Sequence, residues 1–440
     1  MKLNFITKSK FKKSALAFIF TVIFFSGSTF AAPKSTLQQL RETGNCQACN
    51  LFQGRLTGLK LQGANLSGAN LESSNLSRTQ LNGANLFRSN VSKAKLNRTV
   101  LESANLNGTN LAFSQLNEAK LNNANLEQAN LSNADLREAD LSNANLQQAD
   151  LSNANLEQVS LFKAKLKGAN LSGANLTEAI LNYADFRQVN ISETTLIDPK
   201  WITVTKIVSE EGKDFPSVDL SQAYLEGINL ETINLSGSNL QNAESFIVNL
   251  RKANLSQTNL QEAKFIYTDF TQTNFQGANL TKTDLTRAKL LGADLRYANL
   301  TETIITPQTL DPKWYLVWKI INEKLEEKDD FVGVDLEEAY LRGINLSGRR
   351  MTEAKLGKTD LKNANLKQTI LFKAQLKKGN LQGANLEKAI LAEADLSEAN
   401  LEGANLSLAN LTGANLEKTN LQNANLCGAI GPDGKIYRCF

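Results

Sequence analysis

The sequence predicts an all-β solenoid in which five residues make one side of a four-sided coil. Three observations lead there: a leucine or close substitute recurs at every fifth position over most of the chain, a small residue stands two places before it, and every proline lies outside the regular runs. A period of five fits neither regular element. On a helix the leucine row would smear around the axis, and on a strand it would change face at every repeat. The chain must therefore turn once per repeat, with the leucine inside, the small residue packed beside it and the other three positions facing water. Four sides make one coil, and coils stack about 4.8 Å apart through main-chain hydrogen bonds. Proline has no N–H to offer such a stack, which accounts for its exclusion.

Residues 1–31 carry Lys2, Lys8, Lys10, Lys12 and Lys13 with no acid, then an apolar run from Ala15 to Phe25 and small residues up to Ala31. This is the order of a secretory signal peptide, and the run is shorter than the roughly 20 residues a membrane span needs. Removing it leaves 43 basic against 44 acidic residues, so the formal charge of +4 belongs to the leader. A soluble exported protein is expected, with no membrane span in the mature chain and no nucleic-acid partner.

Over 32–50, Ser35 and Gln38 form a capping box for a short helix closed by Gly44, placed to cover the first coil. The first array runs over 51–196, with 30 stations that depart from Leu only at Val91, Phe186 and Ile191. The second, 220–305, has 18 stations, among them Phe265, Phe270, Phe275 and the polar Ser245; the third, 336–426, has 19, all Leu except Met351. Leu66, Leu136, Leu176 and Leu396 exemplify the expected core ladder. Ser245 lies one coil before Phe265 and is read as making room for its ring.

The spacers 197–219 and 306–335 share the tetrapeptide Asp-Pro-Lys-Trp at 198–201 and 311–314. Asp198 and Asp311 stand where an N-cap belongs, and Pro199 and Pro312 at the first helical position. Trp314, Val317, Trp318, Ile321 and Leu325 then share one helical face; Trp201, Val204 and Val208 repeat it, with Thr205 in place of Trp318. Two roles are open to Trp201, Trp314 and Trp318: sealing each helix onto the flank of the coil, or anchoring a partner protein, since aromatic anchors dominate interfaces. Glu323, Glu326, Glu327, Asp329 and Asp330 after the second helix read as a solvated end, the alternative being a cation site. Residues 427–440 hold a turn at Pro432–Gly434 and an extended tail.

Units reading A-(N/D)-L-x-x, in runs such as GANLSGANLESSNL (63–76) and ADLSEANLEGANLSLANLTGANL (394–416), resemble the pentapeptide repeat family over about three quarters of the chain. The resemblance implies a right-handed quadrilateral β-helix, here with short capping and spacer α-helices, and it extends to the DPKW spacers. An export signal followed by CxxC and a long array is similar to exported cyanobacterial members, which implies the periplasm or the thylakoid lumen. It implies no activity, because function lives in sites grafted on folds.

Four cysteines, Cys46, Cys49, Cys427 and Cys439, flank the arrays, outside any repeat. An exported compartment favours disulfides. About 17 coils place the two ends on the order of 80 Å apart, whereas bridged Cα atoms lie within roughly 7 Å, so the expected pairs are Cys46–Cys49 and Cys427–Cys439. CQAC also has the spacing of a redox pair, but no βαβ pattern surrounds it, and Asn50 in place of His removes haem attachment.

The chain contains no histidine. That excludes Ser-His-Asp and Cys-His catalysis and His-liganded metals. No catalytic residue, metal ligand or cofactor is expected. The reading is an exported, non-catalytic rod acting as a structural or protein-interaction scaffold for an unknown protein partner. One alternative is a DNA mimic that inhibits type II topoisomerases, as some family members do, which needs an acidic surface and a cytoplasmic address. The other is a carbohydrate-acting β-helix enzyme with paired carboxylates about 5 Å or roughly 6.5–9.5 Å apart, for which no pair stands out.

Overall fold

The computed structural model describes residues 35–326 and 329–439, so the leader expected over 1–31 and the acidic Glu327 lie outside the described residues. The repeats wind into a four-sided coil in which, within the regular arrays, bridge residues pair in parallel with the residue 20 positions on, as Asn65 with Asn85 and Asn85 with Asn105. This is a right-handed quadrilateral β-helix. Leu66, Leu136, Leu396 and the three rings Phe265, Phe270 and Phe275 are fully buried, and Leu176 nearly so.

The repeat Leu86–Asn90 shows how the backbone is satisfied. Leu86 and Arg88 donate to Asn105 and Asn107 one coil on, at 2.7 and 3.0 Å, and Asn90 donates back to Ala69 at 2.9 Å. Ser89 N–H closes a turn on the Leu86 carbonyl at 3.0 Å. The fifth donor, Phe87 N–H, meets the Asn85 side-chain oxygen at 3.1 Å. All five main-chain donors of the unit thus have acceptors, as buried backbone requires. The third residue of the turn has positive φ, 51° at Arg88 and 58° at Asn133, which makes this a type II turn. A non-glycine residue held there costs roughly 1 kcal/mol, offset by the hydrogen bonds of the stack.

The Asn/Asp position therefore does more than face water. Its side-chain oxygen caps the donor two residues on, and its amide donates to the same position one coil back. Asn425, Asn405, Asn385, Asn365 and Asn345 form a continuous ladder at 3.2, 3.2, 3.5 and 3.0 Å. At most sites where threonine replaces alanine at the small position its hydroxyl donates to a leucine carbonyl in the coil before, as the buried Thr79 to Leu56 at 2.8 Å, whereas Thr258 turns to Leu255 of its own turn at 2.6 Å.

The ends of the arrays correct several expectations. Phe215 and Phe331 already occupy leucine stations, so the second and third arrays restart one repeat earlier than the leucine count implies. Pro216 consequently lies inside a coil. It holds the second position of the turn, where its fixed φ suits a type II turn and where the N–H would be met only by a side chain. Leu196 is not in the core: Asn175 pairs with Leu196 instead of residue 195, and the slip leaves its side chain 58% exposed. Cys46 and Cys49 lie within a repeat, filling the leucine and small positions of the first turn; their sulfurs are bonded across it with Cα atoms 5.3 Å apart. Cys427 lies within the last repeat and is bonded to Cys439, Cα atoms 4.5 Å apart. The tail from Cys439 doubles back as an antiparallel partner of that repeat, Ile436 opposite Ile430.

Helix α1 (Thr36–Thr43) is capped by the Ser35 hydroxyl and closed by Gly44 at φ 66°, and it buries Leu40 over the first coil. Helices α2 (Pro199–Val208) and α3 (Pro312–Asn322) are the DPKW segments. Lys200 pairs with Asp219 at 3.3 Å and Lys313 with Asp335 at 3.0 Å, so the motif's lysine ties each helix to the array that follows. Asp198 caps α2, but Asp311 does not cap α3; its carboxylate accepts from Gly292 N–H in the coil beneath, at 3.2 Å. In α3 the isoleucine buried with Trp314 and Val317 is Ile320 rather than Ile321, and Leu325 lies beyond the helix end. Asn322 closes the array below by imitating a missing coil, accepting from Glu302 N–H at 2.6 Å and donating to the Leu300 carbonyl at 2.9 Å. Strands β1 (Glu244–Phe246), β2 (Lys264–Ile266), β3 (Asp284–Leu285) and β4 (Ile304–Ile305) stack in parallel in that order on one face, with Ser245 directly opposite Phe265.

Two outcomes follow from this geometry and are read by urea melts. Leu136→Ala should cost about 2–5 kcal/mol as a core cavity. Ser132→Pro, at the second turn position, should fold with a near-normal midpoint, whereas Asn133→Pro, at the position whose φ is positive, should destabilise severely.

Candidate interaction groove at the first array junction

Helix α2 removes about one coil of chain from the stack, and beside it the first two arrays meet directly. Tyr183 N–H donates to the Gln222 carbonyl at 2.9 Å, and the side-chain amide of Asn182 donates to that of Gln222. Arg187 pins the seam. It grips Asp185 with two bonds of 2.8 and 2.6 Å and reaches across to the Glu226 carbonyl at 3.1 Å and carboxylate at 3.4 Å.

A groove of about 400 Å³ runs along this seam, large enough for a short segment or small ligand. Tyr183 and Tyr224 lie in its wall. Tyr224 donates its hydroxyl to Glu226; burial, and then that bond, push the phenol far above its ordinary range, so it stays protonated. Burial first, and the nearby Glu244 second, also raise the Tyr183 phenol. Each acid in the groove meets a cation: Asp185 and Glu226 share Arg187, and Glu244 pairs with Lys264 at 3.1 Å. The lysines do not have acids. Lys163 stands 5.5 and 5.4 Å over the rings of Phe162 and Tyr183, while Lys165 and Lys167 line the groove without an ion pair.

Beside the groove the end of β1 and the turns that follow β1 and β2 expose an apolar patch, Phe246 (40%), Ile247 (62%) and Tyr267 (43%), with the rings of Phe246 and Tyr267 edge to face 5.4 Å apart. Sequence reading missed both features. The available signal was the outward FKAKLK run at 162–167 together with Asp-x-Arg at 185–187.

The tryptophans lie elsewhere. Trp201 is 5% exposed and stacks on Phe186 with centroids 5.4 Å apart, and Trp314 is 7% exposed. Trp318 is half-buried and donates its indole N–H to the Thr303 carbonyl at 2.8 Å. As exposed partner anchors all three are corrected: their faces are spent sealing α2 and α3 to the coil. Among the described acids after α3, Asp329 pairs with Lys319 at 3.2 Å and Asp330 with Arg350 at 3.5 Å. Among the described residues no group of three or more Cys, Asp or Glu is placed to hold a metal ion, and no helix is long and apolar enough to cross a membrane.

The second junction repeats the seam without the surplus of lysines. Arg296 grips Asp294 at 2.9 and 2.6 Å and reaches Glu338 at 3.4 Å, and Glu338 also holds Lys358 at 2.9 Å.

The family model described as "Pentapeptide repeats (8 copies)" matches residues 49–192, 214–244, 248–306, 330–407 and 409–431. No curated protein sequence matches the chain. Among solved structures, the chain is similar to HetL, a pentapeptide repeat protein involved in heterocyst differentiation regulation in the cyanobacterium Nostoc sp. strain PCC 7120, at 22% identity over 89% of this chain and 92% of that one, TM-score 0.18. A pentapeptide repeat protein from the Arabidopsis thaliana thylakoid lumen is 32% identical over 24% of this chain and 71% of its own, TM-score 0.21. Rfr23 from the cyanobacterium Cyanothece 51142 is 25% identical over 37% of this chain and 97% of its own, TM-score 0.12.

The Arg296 hydrogen bonds hold the Asp294 carboxyl below its ordinary range. A carboxyl depressed in the folded state adds stability above its unfolded pKa of about 4, which is lost as pH falls through the folded value. Thermal melts should therefore show a midpoint that drops between pH 5 and pH 2, and Asp294→Asn should flatten part of that drop while lowering neutral-pH stability by less than about 1 kcal/mol, since the pair is partly exposed.

Proposed function

Because the chain belongs to the pentapeptide repeat family, we propose that it serves as a non-catalytic scaffold that docks a protein partner at the junction of its first two arrays. The observation that carries this reading is the juxtaposition there of an exposed aromatic and aliphatic patch with a groove lined by uncompensated cations. Contiguous exposed apolar surface with a polar rim is what interaction sites present. The groove carboxylates support the non-catalytic part. Each is engaged by a cation, whereas an acid–base pair needs two carboxyls whose environments drive their pKa values apart.

The scaffold acts outside the cytoplasm, in a periplasm or thylakoid lumen. Support for that address comes from the basic and apolar leader and from two disulfides at the ends of the rod, a chemistry that persists in oxidising compartments. A DNA-mimic role has no support from 43 basic against 44 acidic residues outside the leader.

Cross-linking in the exported compartment tests the reading with Phe246→Ser/Ile247→Ser/Tyr267→Ser, whose side chains are exposed and whose loss should leave the melting temperature within a few degrees. A partner captured by the wild type should be lost from this variant. Equal capture by both proteins would refute docking at this junction.

A further inference from the structure

We propose that the rod pairs with a second copy of itself, side by side and antiparallel, along one face of the first array. The two-fold axis passes between the coil that holds Arg98 and the coil that holds Glu118. This surface is separate from the docking groove: Lys165 stands half a coil after Asn155 of the pairing face, so the groove lies on the opposite side of the rod and stays open in the pair.

Charge order along one corner carries the inference. Arg78, Arg98, Glu118 and Glu138 are exposed third turn residues that stand one above another on successive coils, about 4.8 Å apart. Along the rod the column runs plus, plus, minus, minus. An antiparallel copy presents the reverse order, so Arg98 meets Glu118 and Arg78 meets Glu138, each contact occurring twice as an isologous interface requires. A parallel copy in register would set like on like. Within one chain Arg98 and Glu118 already pair at 2.8 Å, using only Nε and Nη2 of the guanidinium. Its remaining N–H groups are free for a second carboxylate. Arg78 and Glu138 make no ion pair among the described residues. Each has a like charge as its neighbour in the column, an unfavourable stacking that an opposite charge from a second copy relieves.

The rest of the face accepts the same operation. Phe113, 59% exposed, stands one coil after Lys93. The two-fold lays each ring against the Lys93 stem of the other copy and brings both rings beside the axis, an apolar anchor at the centre of the contact. The other charged residues of the face meet neutral ones, as Asp135 meets Asn75 and Lys95 meets Gln115. Outside the leader 43 basic residues stand against 44 acidic, so two copies approach without net repulsion. Exposed ion pairs add little affinity but fix register and orientation, which makes the pairing weak and sensitive to salt.

Sedimentation velocity of the full mature chain over a concentration series tests this, with urea melts to show that each variant is folded. The wild type should form a dimer that weakens as salt is added. Arg78→Glu and Glu138→Arg, each of which sets like charges opposite one another at two places, should weaken the dimer about tenfold or more, and so should Phe113→Ser. The double variant Arg78→Glu/Glu138→Arg has a column that is again complementary to its own reverse, and should return to within about threefold of the wild type. Arg88→Glu, the same charge change at the opposite corner of the coil, should alter the dimer less than about twofold. A wild type that stays monomeric, a dimer that Arg78→Glu leaves intact, a double variant no tighter than the single ones, or equal weakening by Arg88→Glu would overturn the proposal.

Discussion

A chain that turns every five residues must satisfy five main-chain donors per unit without a long strand, and the rest of this molecule depends on how it does so. Three donors reach the neighbouring coils, one closes the turn, and one is met by an Asn or Asp side chain. Each residue type then has its place. Leucine fills the inside, alanine or a hydroxyl residue lets the turn close against the core, the third turn residue accepts positive φ, and asparagine both caps its own turn and joins a ladder along the rod. Because every bond but the turn and its cap leads to another coil, no coil is stable alone, as in repeat proteins generally.

The same constraint shapes the interruptions. An array cannot stop without leaving donors and carbonyls open, so each end carries a substitute partner. Helix α1 and the Cys46–Cys49 turn begin the rod, Asn322 stands in for an absent coil, and the tail pairs antiparallel with the last repeat. The DPKW helices combine a buried tryptophan with a lysine that holds the next array. Where they leave the stack, coils that are distant in sequence come edge to edge, and Arg187 and Arg296 each reach across to an acid of the next array, Glu226 and Glu338. The groove and the apolar patch arise at such a seam.

Much of this was legible in the residues. A leucine at every fifth position has only one packing solution, so the four-sided coil and its core stations could be read directly. The dual role of asparagine could not, because a polar residue on a solvated face looks the same whether or not its amide is engaged. Phe215 and Phe331 were hidden by their departure from leucine, and Leu196 was miscounted because one inserted residue turns an inward station outward. The tryptophans drew attention because they are rare and apolar, yet those properties suit a seal as well as an anchor, and burial decides between the two. The groove escaped detection because it joins Lys163, Lys165 and Lys167 to Tyr224 and Glu226 across a helical detour that has no trace in local spacing.

The most direct measurement of the central claim is residue-resolved hydrogen exchange through the first array. The account predicts a five-residue period: in each repeat the amides of the leucine, the third turn residue, the small residue and the asparagine exchange slowly, while the amide of the second turn residue, held only by a side chain, exchanges faster. Protection that is uniform within repeats, or that follows a 3.6-residue period, would contradict it.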